Sequence, residues 1–192
     1  AANDAPKAGL ESSGGTAVDT AGSNNGTLLG NPLFVPGLSG NCLEFDSSDY
    51  VRNTTATNLP TAPTNNWTIN MFLRPDAVPS DWAVIGGFGN LYDNVSRASR
   101  YITYGGTINF WGHWLDIYST ADFDIGEWQM VTATYDGTTV RLYKDARQIA
   151  SAYASFAAAA GHVNLAPPKW GGNFTGRIDE FTIWNGALSL QQ

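Results

Sequence analysis

The sequence predicts an all-β chain folded as two antiparallel sheets packed face to face, and three observations predict it. First, Trp128 to Tyr135 alternates, with Val131, Ala133 and Tyr135 on one face and Met130, Thr132 and Thr134 on the other. That is the two-residue period of a strand. Asp136-Gly137 follows and supplies the positive φ of a tight hairpin, after which Val140 and Leu142 alternate with Arg141 and Tyr143. Second, turn signals recur about every ten residues with no helical stripe between them. Third, the chain is rich in aromatics (12%) and glycine (21 residues) and poor in charge (14%). A hairpin with one apolar face is stable only under a second layer, so the sheet must pack on another.

Taken in order, Ala1 to Lys7 reads as an untethered leader, and residues 1–9 are expected to be a linker remnant before a single domain at 10–192. A chain of 192 residues suffices for one sizeable core and is short for two. The Gly, Ser, Thr and Asn text from Ser12 to Asn31 leaves room for short strands near Ala17-Val18 and Thr27 to Leu29. Leu33 to Val35 is a strand closed by Pro36-Gly37; Cys42 to Phe45 and Tyr50-Val51 flank an acidic turn. In Trp67 to Arg74, Trp67, Ile69, Met71 and Leu73 share one face and Thr68, Asn70, Phe72 and Arg74 the other, and Pro75 and Pro79 end the strand. Ala83 to Gly87 is the next strand and Asn90 to Arg100 a polar loop. Tyr101 to Tyr104, Thr107 to His113 and Leu115 to Tyr118 continue the series. Ala150 to Ala160 fits a strand followed by a loop, and Val163 to Leu165 and Gly176 to Trp184 close the chain.

The net charge of −7, with no basic cluster, argues against nucleic acid and anionic membrane surfaces but leaves neutral sugars open. No apolar run approaches the ~20 residues of a membrane span, so no membrane insertion is expected. Cys42 is the single cysteine, which excludes an internal disulfide, and it reads as a small buried apolar residue. Asn53, Asn66, Asn94 and Asn173 head Asn-x-Ser/Thr triplets of the kind that an Asn- and Thr-rich chain produces by chance.

Four blocks in order carry a resemblance: DTAGSNNGTLLGNPLFVPGLSGNCLEFDSSDYV, WTINMFLRPD, GEWQMVTATYDGTTVRLYKD and FTGRIDEFTIWNGALS. Together they resemble the laminin-G-like domain of the concanavalin A-like lectin/glucanase superfamily. The resemblance implies a two-sheet antiparallel jelly-roll sandwich, one sheet concave, and a fold that hosts lectins, adhesion modules, hydrolases and lyases. In one block the family pattern reads Trp-x-His-Val, whereas this chain has Trp128-Gln129-Met130-Val131, so any role of that histidine is lost here.

Modules of this kind often carry structural calcium, a hard cation bound by several oxygens. Asp19, Asn24 and Asn25 in the first loop and Asp179 and Glu180 in the last strand are the expected ligands, because the resemblance places first and last strands side by side. The bland alternative is that these residues build turns and satisfy strand ends. For a glycan, aromatic rings stack on sugar C–H faces while amides and cations bond the hydroxyls. Ile108 and Phe110 share core parity, which sends Asn109, Trp111 and His113 to the face taken as concave. With Asn70, Arg100, Tyr104, Trp82 and Trp170 they form the expected carbohydrate site, whereas Trp67, Trp128 and Trp184 are assigned to packing. No catalytic residue is named. The Glu-x-Asp-x-x-Glu strand of the glucanase branch is missing, and Glu11, Glu44, Glu127 and Glu180, the only glutamates, are unpaired at strand spacing. Arg100, Tyr101, Tyr104 and His113 match no lyase spacing, and a lyase for an acidic polymer wants a basic cleft. The expectation is a non-catalytic, lectin-like module that binds polysaccharide or oligosaccharide. It is read as a calcium-stabilised, monomeric piece of a larger secreted or cell-surface enzyme or adhesin. The alternatives are a polysaccharide-degrading enzyme on the same fold or a protein-recognition module.

Overall fold

The computed structural model describes residues 15–78, 82–169 and 171–189; the expected linker remnant lies outside them. In chain order the strands are β1 (Thr16–Ala17), β2 (Gly26–Leu29), β3 (Leu33–Pro36), β4 (Asn41–Phe45) and β5 (Tyr50–Asn53). There follow β6 (Trp67–Pro75), β7 (Ala83–Gly89), β8 (Ser99–Tyr104), β9 (Ile108–Trp111) and β10 (Ile117–Tyr118). The last five are β11 (Gln129–Tyr135), β12 (Thr139–Lys144), β13 (Arg147–Tyr153), β14 (Val163–Leu165) and β15 (Gly176–Trp184). Sheet A has eight strands in the order β1-β2-β5-β14-β7-β8-β9-β10, and sheet B seven in the order β13-β12-β11-β6-β15-β4-β3. No helix forms among the described residues.

The expected alternation holds where it was clearest. Trp67, Ile69, Met71 and Leu73 of β6 and Val131, Ala133 and Tyr135 of β11 are buried between the sheets. Of the boundaries that differ from the sequence reading, two have a clear backbone cause. Strand β9 stops at Trp111 because His113 and Trp114 adopt φ of 57° and 68°, which turns the chain off the ladder. Strand β13 begins at Arg147 because Asp145 and Ala146 (φ 49° and 63°) make a two-residue reversal directly after β12.

Trp67 is the hub of the core. Its ring stacks on Phe110 of β9 at 5.6 Å and meets Phe88 of β7, Tyr135 of β11 and Phe156 at 6.1, 5.7 and 5.8 Å. Its indole nitrogen is buried without a partner. An unpaired donor costs about 1–3 kcal/mol. Burying roughly 200 Å² of indole returns about 5 kcal/mol, so packing wins.

One irregularity decides what sheet B shows to solvent. Asp179 of β15 lies opposite Phe72 and Thr182 opposite Asn70, so β15 spends one residue more than β6 over the same length. Ile178 belongs to the core and Phe181 and Ile183 pack against it, a spacing that only this extra residue allows. Glu180 sits in the bulge with φ of 49°. The strand starts tight against β6: a Cβ on Gly176 (φ 138°) would lie 2.3 Å from the Arg74 carbonyl oxygen.

Candidate functional site

On the solvent side of sheet B, alternation turns Thr68, Asn70 and Phe72 of β6 and Met130, Thr132 and Thr134 of β11 outward, with Asn70, Phe72, Met130 and Thr132 partly exposed and Thr68 and Thr134 covered by their neighbours. Tyr143 joins them from β12, and the bulge adds Glu180, Thr182 and Trp184 from β15. With Leu188 and Ser189 at the rim they line a groove of about 370 Å³, inside the range of roughly 300–1,000 Å³ of small-ligand clefts. Register orders the floor into rows. Tyr143, Thr132, Asn70 and Thr182 cross the sheet in one line, and Thr134, Thr68 and Trp184 in the next.

Hydrogen bonds preset this floor. The Thr132 hydroxyl donates to Asn70 Oδ1 at 2.6 Å, leaving the Asn70 amide nitrogen without an acceptor among the described residues. Thr68 Oγ1 donates to the Gly186 carbonyl at 2.7 Å and accepts from Leu188 N at 2.9 Å, which folds the chain after β15 over the groove as a rim. Trp184 is 50% exposed, and its Nε1 donates to Thr182 Oγ1 at 3.1 Å, so the indole is held while much of its ring stays in water. The exposed Glu180 carboxylate makes no hydrogen bond or ion pair with the described residues.

Of the residues expected to bind a glycan, only Asn70 lies in this groove. Arg100, Tyr104 and Asn109 are 0%, 0% and 1% exposed, so no dissolved ligand reaches them. Arg100 is on a strand rather than in a loop and points inward. Its Nη2 donates to Ala157 O at 3.1 Å, its guanidinium lies 4.5 Å from the Phe156 ring, and burial brings its pKa down to about 10. Tyr104 donates to Asp122 Oδ1 at 2.5 Å, and burial raises its phenol pKa. Asn109 accepts from Ser119 N and donates to Thr107 O, pinning the β9–β10 connection.

Trp82, Trp111 and His113 belong to the side of sheet A that faces away from the core, opposite the groove. Trp111 tilts on Tyr101 at 6.3 Å, and Trp82 meets Tyr118 edge-on at 5.8 Å. His113 stacks between Trp111 (5.3 Å) and Trp114 (6.1 Å), with its Nδ1 buried and unpartnered. Trp170 lies outside the described residues. Ile108 and Phe110 of β9 are buried as their parity predicted, but the face this gives Trp111 and His113 belongs to sheet A, whereas the groove described above lies on sheet B. Trp184, assigned to packing, is instead the groove's most open ring. The legible signal was the pair of outward strips Thr68-Asn70-Phe72 and Met130-Thr132-Thr134, once β6 and β11 are known to be neighbours.

The expected calcium ligands do not assemble. β1 is an edge of sheet A and β15 lies inside sheet B between β6 and β4, so the first and last strands are not side by side. Asp19 caps its own loop, with Oδ1 accepting from Ala21 and Gly22 N and Oδ2 from Asn24 N. Asn25 Oδ1 accepts from Asp19 N, and Asn24 bonds both backbone groups of Thr57. Asp179 Oδ2 accepts from Leu38 and Ser39 N, in room left by Gly37, while Glu180 turns into the groove. Among the described residues no three His, Cys, Asp or Glu side chains are grouped to hold a metal.

Two facing antiparallel sheets with a ring-and-amide groove on one outer surface define the class, a concanavalin A-like jelly roll. The chain belongs to the Laminin_G_3 family of the Concanavalin A-like lectin/glucanases superfamily, whose model matches residues 45–192. No curated protein sequence matches it. Among solved structures it is similar to domain 4 of AbnA, a GH43 extracellular arabinanase from Geobacillus stearothermophilus, solved with arabinotriose. That likeness has 18% identity and a TM-score of 0.68 over 87% of this chain and 85% of that one. The botulinum neurotoxin serotype C1 binding domain aligns at 15% identity and a TM-score of 0.69 over 95% of this chain and 49% of that one. The binding domain of botulinum neurotoxin DC, solved with SialylT, aligns at 15% and 0.66, over 88% and 44%. The chain thus spans less than half the length of these toxin domains. At such identities the likeness shows the fold.

Proposed function

We propose that this chain is a carbohydrate-binding module that holds a saccharide in the groove of sheet B and does not cut it. The observation that carries this reading is Trp184, half exposed beside a floor of hydroxyls and the unused Asn70 amide. A ring face takes the C–H side of a sugar, and Asn70, Thr182 and Glu180 meet its hydroxyls. Glycoside hydrolysis needs two facing carboxylates, whereas Glu180 is the one carboxylate of the lining. The structural neighbours support the reading: one was solved with arabinotriose and another with SialylT. On this reading the module is monomeric and works outside the cell, as part of a secreted or surface-attached polysaccharide-active enzyme or adhesin. The test is affinity electrophoresis through gels containing single polysaccharides, run beside assays for new reducing ends and unsaturated products. Retardation without product is the expected result; product formation overturns the reading.

A second reading rests on its own observation. Trp114 is 77% exposed at the end of the Trp111–His113–Trp114 stack, and His113 and Trp114 hold left-handed backbone to put it there. That loop is a platform for a sugar ring on the opposite side of the sandwich.

A further inference from the structure

We infer that the groove of sheet B selects uncharged glycans, and that Glu180 enforces the choice by accepting hydroxyl hydrogens and repelling uronates and sialic acids. This rests on the carbohydrate reading above. The lining contains no Lys or Arg, and its single carboxylate is Glu180. Three guanidinium groups that flank the groove on sheet B are already engaged. Arg141, in the row of Thr134, is paired with Asp136 at 2.6 Å, and Arg177 with Glu44 at 2.8 Å. Arg74, the next outward position after Phe72, donates to the Gly126 carbonyl at 2.6 Å and lies 3.4 Å from Asp76. Within its own lining the groove therefore offers an acidic sugar a negative charge and no counter-charge.

The placement of Glu180 is specific. It occupies the bulged position of β15 at φ 49°, a conformation that L side chains rarely adopt, and its oxygens bond no described residue. Two acceptor oxygens facing the groove match two vicinal hydroxyls, each a donor. A second carboxylate about 5 Å away is disfavoured by about fourfold in bulk water and by up to a few hundredfold at the effective dielectric of a protein surface.

The experiment measures binding of wild type and Glu180→Gln to paired probes, xylotriose against glucuronosyl-xylotriose and galactotriose against trigalacturonate, by calorimetry at neutral pH. Wild type is expected to favour the neutral member of each pair by about tenfold or more. Raising salt from about 20 mM to about 500 mM should narrow that preference without any mutation. Glu180→Gln, checked for a native melting profile, should reduce it to about threefold, and it should weaken neutral binding by several-fold because one of the two acceptor oxygens becomes an NH2. Equal or tighter wild-type binding of the acidic members overturns this inference alone, as does an unchanged preference in the glutamine variant. Binding of neither class overturns the carbohydrate reading and this inference with it.

Discussion

Replacing Trp184 by alanine is the sharpest test of where the ligand sits. The residue is 50% exposed and its Nε1 donates to Thr182, so little of the core depends on it. A sugar stacked on the indole face covers roughly 50 Å² of ring and a similar area of its own C–H surface. At about 25 cal/mol per Å² this amounts to roughly 2.5 kcal/mol, or about 70-fold in Kd. The lost Nε1 bond is half exposed and contributes at most about 1 kcal/mol, which lowers the melting midpoint by about 2–4 °C. Calorimetry against a bound oligosaccharide, beside a thermal melt, separates the two numbers. Binding changed by less than about threefold, in a variant that melts normally, would refute the placement of the ligand on sheet B.

Trp114→Ala tests the opposite face: with the ligand in the groove its affinity is unchanged, whereas loss of binding there would move the site to the β9–β10 loop. Arg100→Met should raise the melting midpoint by about 2–6 °C in calorimetry, because a buried guanidinium with Nε and Nη1 unpartnered is exchanged for an apolar side chain, less the cost of orphaning the Ala157 carbonyl. Asp136 is held below the usual carboxylate range, first by the Arg141 guanidinium and then by the Thr139 amide. Its folded pKa is depressed, so its contribution is present above about pH 4 and is lost as pH falls further. Asp136→Asn should melt about 1–3 °C lower at neutral pH, with the gap closing below about pH 3. For calcium, the oxygens of Asp19 and Asp179 already accept backbone N–H groups, so melts in calcium and in chelator should agree within about 1 °C; a larger gap would restore a metal site.

Strand identity was legible wherever one face is apolar, as the buried residues of β6 and β11 show. Trp184 was misread for a definite reason. Counting by twos from buried Ile178 puts Glu180, Thr182 and Trp184 inward, and one extra residue reverses that count. Nothing in the letters IDEFTIW marks the bulge. Arg100 escaped because a charged residue at the end of a polar stretch reads as surface, and a lone guanidinium boxed by Phe88 and Phe156 runs against composition. Asp19 shows a different limit. A carboxylate among Asn and Gly serves a cation or a turn equally well, and only hydrogen-bond geometry separates the two.

The bulge in β15 links fold to function more directly than any single side chain. It lets Phe181 and Ile183 face the core although Ile178 does so three residues earlier, and it sets Thr182 and Trp184 outward beside Asn70 and Thr68. The same residue frees Asp179 and Glu180 from the core together. Asp179 then closes the β3–β4 turn through Leu38 and Ser39, and Glu180 faces the groove. A regular strand would bury the indole and the threonine and expose two apolar side chains, losing both the core and the groove. A left-handed glutamate costs of order 1–3 kcal/mol, a cost of the same order as the share of about 1.5–3 kcal/mol per fully buried side chain that partly buried Phe181 and Ile183 each gain. Burial thus stabilises the bulge, and with it the groove, independently of any ligand.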